Sequence, residues 1–161
     1  MDADEGLYHA APQVRGKIAH QSVDNKTGNS RKEELLSLPV CSNKYKLFGK
    51  IDLLKVDKKL LIERKYKLTQ LYKGQIYQLW AQYYCLLEMG YTIEHLAFYE
   101  ISTRKMTDIV LPTRLDEQNF VSFIESVHNY SPEKELCVNL NKCRHCIYCS
   151  MCDKTSVENV Y

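Results

Sequence analysis

The sequence predicts an α/β (α+β) chain, a sandwich with one central mixed sheet flanked by helices and a cysteine-ligated C-terminal tail. Two pairs of β-favouring segments alternate with helical segments, in the order helix, two strands, helix, two strands, helix. The last stretch, "ELCVNLNKCRHCIYCSMCDKTSVENVY", has almost no apolar periodicity and needs something other than a core to order it. At 161 residues, 45% hydrophobic and 26% charged, the chain has the size and apolar fraction of one globular unit with a real core. Within it, residues 1–135 form the core and 136–161 the cysteine-bearing segment.

Each element has its own signal. Leu7 to about Asn25 carries Pro12 and the apolar spacing Val14, Ile18, Ala19, which predicts a short helix entered through a loop. "NKTGNSRKEE", Asn25 to Glu34, is polar and turn-rich and predicts an exposed loop before the sheet begins. Lys44–Val56 and Leu60–Leu68 read as two strands, with "VDKK" between them as a hairpin turn. In "KGQIYQLWAQYYCLLEMGY" the residues Ile76, Leu79, Trp80, Tyr83, Leu86 and Leu87 recur at spacings of three and four, an amphipathic helix that stops at Gly90. "IEHLAFYEIS" and "MTDIVLP" follow as strands joined by a turn around Thr103 to Lys105. Leu115–His128 is again helical.

Composition excludes some classes of function. No run of eighteen apolar residues occurs, so the sequence predicts no membrane span. The N-terminus lacks the basic-then-apolar order of a signal peptide, which places the expected location in the cytoplasm. A net charge of +2 means that an anionic partner must meet a local patch. Lys44, Lys46, Lys50, Arg64, Lys67 and Lys73 are the candidates for that path, and Tyr66 and Tyr72 read either as packing residues beside the strand or as rings for stacking on single-stranded bases.

"GKIDLLKVDKKLLIERKYK" puts three charged groups inside apolar strands: Asp52, Glu63 and Lys65. Strand alternation sets Glu63 and Lys65 on one face with Leu61, and Ile62 and Arg64 on the other. One reading is a cross-strand ion pair on a solvated face, contributing about 0.2–1 kcal/mol. The other is a pair of carboxylates that hold a hard divalent ion, with Lys65 positioning a water and offsetting charge on a phosphate. Gln75, Gln78 and Gln82 make a polar stripe on the following helix, which reads either as a simple solvent face or as a stripe that orients those ligands and touches DNA.

"KCRHCIYCSMC" spaces Cys143, Cys146, Cys149 and Cys152 uniformly by three. Paired zinc motifs enclose a loop of about 15–20 residues, whereas two residues separate Cys146 from Cys149 here. Tight runs suit iron–sulfur ligation, and zinc stays the alternative. Cys85, inside the apolar helix, reads as a small core residue.

Asp52, the spacing to Glu63-x-Lys65, the helix segment "QLWAQYY" from Gln78, "GKIAH" near the start and the terminal cysteines together resemble the PD-(D/E)xK nucleases of the RecB-like branch. Within that branch the chain is similar to the RecB-like CRISPR-associated exonucleases, the fourth of the Cas proteins, over nearly its whole length. The resemblance implies a restriction-endonuclease-like core. It also implies a Mg²⁺- or Mn²⁺-dependent DNA exonuclease that processes prespacer DNA with single-stranded ends together with the CRISPR integrase proteins. By position it makes His20, Asp52 and Glu63 metal ligands, and Asp52, Glu63, Lys65 and Gln78 the catalytic group. It further implies a 4Fe-4S cluster with Cys143, Cys146 and Cys152 as ligands and Cys149 in the same run.

Two departures stand out. Gln82 occupies the place where the family motif has Tyr, with Tyr83 beside it. No cysteine precedes Cys41, so the fourth cluster ligand is Cys149, Cys41, Cys137 or a residue upstream of this sequence. Two competing functions remain on these residues: a non-catalytic nuclease-like adaptor that binds a DNA end, and a zinc-stabilised interaction domain.

Overall fold

The structure, a computed structural model, describes residues 33–131, 133, 138–144, 146 and 148–154. The expected N-terminal helix, His20 and Cys137 lie outside these residues, as does the expected loop up to residue 32.

Among the described residues, seven strands form two sheets. Strands β1 (Glu34–Leu36), β4 (Leu53–Lys55), β5 (Leu60–Lys65), β6 (His95–Glu100) and β7 (Lys105–Ile109) make a five-stranded sheet in the order β1-β4-β5-β6-β7. Strands β2 (Pro39–Ser42) and β3 (Leu47–Lys50) pair separately as an antiparallel hairpin. The large sheet is mixed, because β5 and β6 run parallel while its other pairs are antiparallel. A parallel step requires a crossover, and helix α1 (Lys73–Glu88) supplies it. Helix α2 (Arg114–His128) follows β7. A one-turn helix α3 (Leu140–Cys143) and a 3₁₀ turn (Cys149–Met151) lie in the cysteine segment. The architecture is therefore a mixed α+β fold, and no helix among the described residues is long and apolar enough to cross a membrane.

Three details differ from the sequence reading. Glu34, expected at the end of the loop, is already in strand β1, and its carboxylate pairs with Lys55 at 2.9 Å across the β1–β4 ladder. Lys44–Val56 is not one strand: it holds β3 and β4, which belong to different sheets, and the chain passes between them at Ile51 and Asp52. On α1, Leu79, Trp80 and Leu86 are buried as expected, but Ile76 and Tyr83 are half-buried and Leu87 is exposed. Tyr77, Gln82, Tyr84 and Cys85 are buried instead, because the helix is covered over a wider arc than one apolar stripe.

Local chemistry fixes the helix ends. The Gly90 N–H donates to the Leu87 carbonyl at 3.1 Å and the Tyr91 N–H to the Leu86 carbonyl at 2.9 Å, a Schellman closure of α1. Gly90 sits at φ 89°, the left-handed conformation that this closure needs. At the other helix, the Asp116 N–H donates to Thr113 Oγ1 at 3.2 Å while the Thr113 N–H donates to Asp116 Oδ2 at 2.9 Å, a reciprocal capping box.

Side chains of one sheet face meet α1. Leu54, Leu61, Leu96 and Phe98 join Leu79, Trp80, Tyr84 and Leu86 in the main core. The other face of the same strands is also buried, through Ile62, Arg64 and Ala97. Helix α2 contributes one buried residue, Phe120, whose ring packs against Tyr45, Tyr77 and Tyr84 with centroids 5.2–5.8 Å apart.

Phe120 is therefore the one fully buried anchor of α2, beside the half-buried Val121 and Ile124. Phe120→Ala is expected to destabilise the protein by about 3–5 kcal/mol, whereas Val127→Ala, at a position 52% exposed on the same helix, changes stability by less than about 0.5 kcal/mol. Urea unfolding of both variants checks this; equal losses would contradict the packing described.

Candidate active site

Strand β5 brings charge into the centre of the large sheet, where it has a neighbour on each side. Glu63 is 4% exposed there. Isolated in such a place, a carboxylate would cost several kcal/mol or give up its charge. The chain answers with three donors. Glu63 Oε1 accepts from Lys65 Nζ at 2.9 Å and from Gln78 Nε2 at 2.7 Å, and Oε2 accepts from Gln82 Nε2 at 2.8 Å.

The geometry follows from two periodicities. Lys65 stands two residues from Glu63 on the same strand face, and Gln78 and Gln82 stand four apart on one helix face, so both amides reach the same carboxylate. Lys65 Nζ also donates to Gln78 Oε1 at 2.8 Å, which closes a three-membered group of Glu63, Gln78 and Lys65. Gln75, the third amide of the stripe, accepts from the Tyr72 N–H at 2.9 Å and belongs to the start of the helix. The ion pair is accordingly not on a solvated face: the Glu63 side chain is 6% exposed and that of Lys65 25%.

Asp52 is half-buried at the point where the chain enters β4. The ladder pairs Leu53 with Ile62, so extending it by one residue sets Asp52 opposite Glu63. Its Oδ2 accepts from the Arg64 N–H at 2.7 Å, and its carbonyl accepts from the Ser37 N–H at 3.2 Å. These bonds hold the carboxylate at the edge where β4 stops pairing.

As hard oxygen donors, Asp52 and Glu63 suit Mg²⁺ or Mn²⁺, and Mg²⁺ commonly takes one or two carboxylates and fills its remaining positions with water. Gln82 adds a further oxygen: its Oε1 is buried and has no hydrogen-bond partner among the described residues. A third His, Cys, Asp or Glu is not grouped with the two carboxylates among the described residues, and His20 lies outside them. In chemistry alone, these oxygens are of the hard kind that a divalent ion takes.

A cleft of about 200 Å³ opens beside this group, lined by Phe48, Gly49 and Lys50 of β3 and by Gln78, Ala81 and Gln82 of α1. A larger cavity, about 590 Å³, lies between the hairpin turn, α1 and the start of α2 and touches none of Asp52, Glu63 and Lys65. Its Glu117 accepts from Tyr45 Oη at 2.6 Å and from Lys44 Nζ at 3.1 Å, bonds that hold the Glu117 carboxyl below the usual carboxylate range.

Two of the residues expected on a basic path are placed otherwise. Arg64 is 3% exposed, pointing into the sheet face opposite Glu63, and so cannot meet a partner at the surface. Lys44 is exposed but engaged with Glu117. Lys46, Lys50, Lys67, Lys73, Tyr66 and Tyr72 are exposed.

In the C-terminal segment the spacing of three becomes a series of turns. The N–H groups of Cys146, Cys149 and Cys152 donate to the carbonyls of Cys143, Cys146 and Cys149 at 3.0–3.2 Å. These bonds place the four cysteines on successive turns of the chain. Burial pushes the Cys149 thiol up, and the neighbouring Cys143, Cys146 and Cys152 push it further. No three His, Cys, Asp or Glu side chains among the described residues are arranged to hold a metal, in this run or elsewhere. Cys41 lies near Cys85 of α1, and burial raises the Cys85 thiol to about 11, as befits a core residue.

No family model matches the sequence, and neither does any curated protein. The structure is similar to the crystal structure of SSO0001, with a TM-score of 0.54 over 90% of this chain and 72% of that one, at 19% identity. That likeness is one of fold.

Proposed function

We propose that this chain is a Mg²⁺- or Mn²⁺-dependent DNA nuclease with a PD-(D/E)xK core. The observation that carries the proposal is the buried Glu63 carboxylate, held by Lys65, Gln78 and Gln82 with Asp52 at the neighbouring register position. An ion pair serving stability alone has little reason to be buried, since desolvation offsets its attraction. A buried carboxylate–lysine pair in reach of a cleft is a better fit to chemistry.

Hydrolysis joins the oxygen of water to phosphorus, breaks the phosphodiester P–O bond and leaves the proton on the departing oxygen or solvent. The divalent ion, when bound, supplies Lewis acidity and an activated water. Asp52 and Glu63 would hold it. Lys65 Nζ, fixed by Glu63 and Gln78, would position the water and offset negative charge on the phosphoryl group. Gln82 would keep Glu63 from turning away. The action on single-stranded DNA ends in CRISPR adaptation, the integrase partner and the cytoplasmic location rest on the sequence resemblance.

Glu63→Gln and Lys65→Ala should each lower cleavage of a labelled single-stranded oligonucleotide by at least about 10²-fold while retaining DNA binding. EDTA should stop the wild-type reaction, and Mg²⁺ or Mn²⁺ should restore it. Wild-type protein that binds DNA ends without cutting them under any divalent ion would favour the adaptor reading.

The cysteine run is proposed to hold a 4Fe-4S cluster that orders the tail. Protein purified anaerobically should contain iron and absorb in the visible, and Cys143→Ser, Cys146→Ser and Cys152→Ser should each lose both signals. Removing the metal should lower stability. One equivalent of zinc with no iron would overturn the cluster assignment.

A further inference from the structure

The cavity of about 590 Å³ between the hairpin turn, the end of α1 and the start of α2 is lined by none of Asp52, Glu63 and Lys65. Its volume is within the roughly 300–1,000 Å³ of small-molecule sites. Tyr83, Tyr84, Leu87 and Glu88 line it from one face of α1, where helical spacing brings them together, and Glu117 lines it from α2. Tyr45 closes the third side: its ring centroid lies 5.2 Å from that of Tyr84, and its hydroxyl donates to Glu117 Oε1 at 2.6 Å.

The polar groups of this cavity are not all met. Tyr84 is 9% exposed, yet its hydroxyl makes no hydrogen bond among the described residues, and neither does that of Tyr83. Burial pushes both phenols up and the Glu117 carboxylate pushes them further, which places that carboxylate within electrostatic reach of both hydroxyls. Both bonds that Glu117 accepts fall on Oε1, so Oε2 is open among the described residues. Glu88, the other carboxylate of the wall, is already engaged by Ser42 Oγ and the Asn43 N–H. Arg114 is exposed at the rim, where solvent screens it. An anion would therefore meet Glu117 beside the very hydroxyls it needed as donors. A cation fits: ring faces attract it through their quadrupole, and the carboxylate supplies the opposite charge. The chain's own ammonium shows the preference. Lys44 Nζ lies 4.6 Å from the Tyr45 ring centroid and 3.1 Å from Glu117 Oε1, on a side chain 64% exposed.

We propose that this cavity binds an organic cation, an alkylammonium or alkylguanidinium group, with its charge on Glu117 and its alkyl surface against Tyr45, Tyr83 and Tyr84. Lys44 competes for the same place, so the exposed lysine weakens the site that it reveals. The proposal does not depend on the nuclease reading, because none of its residues belongs to the Glu63 group.

The test is an NMR titration of the full chain, its tyrosine rings labelled, with tetramethylammonium, N-methylguanidinium and neutral tert-butanol. The Tyr45, Tyr83 and Tyr84 signals should shift saturably with the two cations and not with the alcohol. Lys44→Gln should tighten cation binding roughly 2- to 5-fold, the factor of one exposed cation–π contact. Glu117→Gln, which keeps an acceptor for the Tyr45 hydroxyl, and Tyr84→Leu should each weaken it by about 5-fold or more. Thermal melts should show the variants folded, and if Tyr84→Leu is not, the exposed Lys44→Gln still decides. A peptide with one arginine that binds at least about tenfold tighter than N-methylguanidinium would identify the cation as a side chain of a protein partner, and equal affinity would identify a free small cation. Equal shifts with tert-butanol, or a Lys44→Gln protein that binds cations no better than the wild type, would overturn the proposal.

Discussion

The need to satisfy a carboxylate inside the central strand is the constraint on which the rest of the arrangement depends. Glu63 is 4% exposed, and its two oxygens accept from three side chains on two elements. Two of those donors come from α1, so the helix cannot rotate or slide on the sheet without leaving a buried oxygen unpaired. A lost partner for a charged group costs more than an ordinary hydrogen bond. The apolar contacts of Leu79 and Leu86 with Leu61 and Phe98 in the same core supply the cohesion. Apolar packing alone would tolerate small shifts; the polar group specifies one position.

That position is passed outward to the hairpin. Glu88, at the last turn of α1, holds the β2–β3 connection through Ser42 and two backbone N–H groups. Gln82 also approaches the Lys50 carbonyl, at 3.4 Å. One helix thus sets the carboxylate, its lysine and the walls of the neighbouring cleft together, while α2 stands behind them on Phe120 and the Tyr45–Glu117 bond. Catalytic groups held by packed regular elements keep their spacing better than groups on loops.

Much of this was legible in the sequence, and the reasons differ by element. Helix α1, the β4–β5 turn, the β6–β7 pair and α2 have periodicity or turn residues strong enough to survive any packing. Strands β1 and β2 span three and four residues and interrupt no polar run clearly, so pattern has little to grip there. Pro39 at the head of β2 further masks it, since proline ordinarily argues against a strand. The break between β3 and β4 is invisible to alternation, because both halves alternate and only tertiary pairing separates them. Glu63 and Lys65 were readable as neighbours from strand spacing and Asp52 as their cross-strand candidate, whereas Gln78 was singled out from the amide stripe by the resemblance alone. Arg64 was misplaced as a surface cation because alternation says which face it takes, not whether that face is covered. Gln82 carried the same i, i+4 signal as Gln78, and only the structure shows its amide on Glu63 Oε2. For the cysteines, the spacing of three pointed to a shared ligand set, and the series of turns that carries them is seen only in the structure.

Everything proposed for the site turns on Asp52 and Glu63 being the protein's ligands for one hard divalent ion. Crystals soaked in Mn²⁺ and measured for anomalous scattering at the manganese edge test it most directly. One peak shared by the Asp52 and Glu63 carboxylates is expected, absent in crystals of Glu63→Gln. No peak at saturating Mn²⁺, with Glu63 still paired to Lys65, Gln78 and Gln82, would instead show the buried pair to be structural and contradict the metal-dependent chemistry proposed for it.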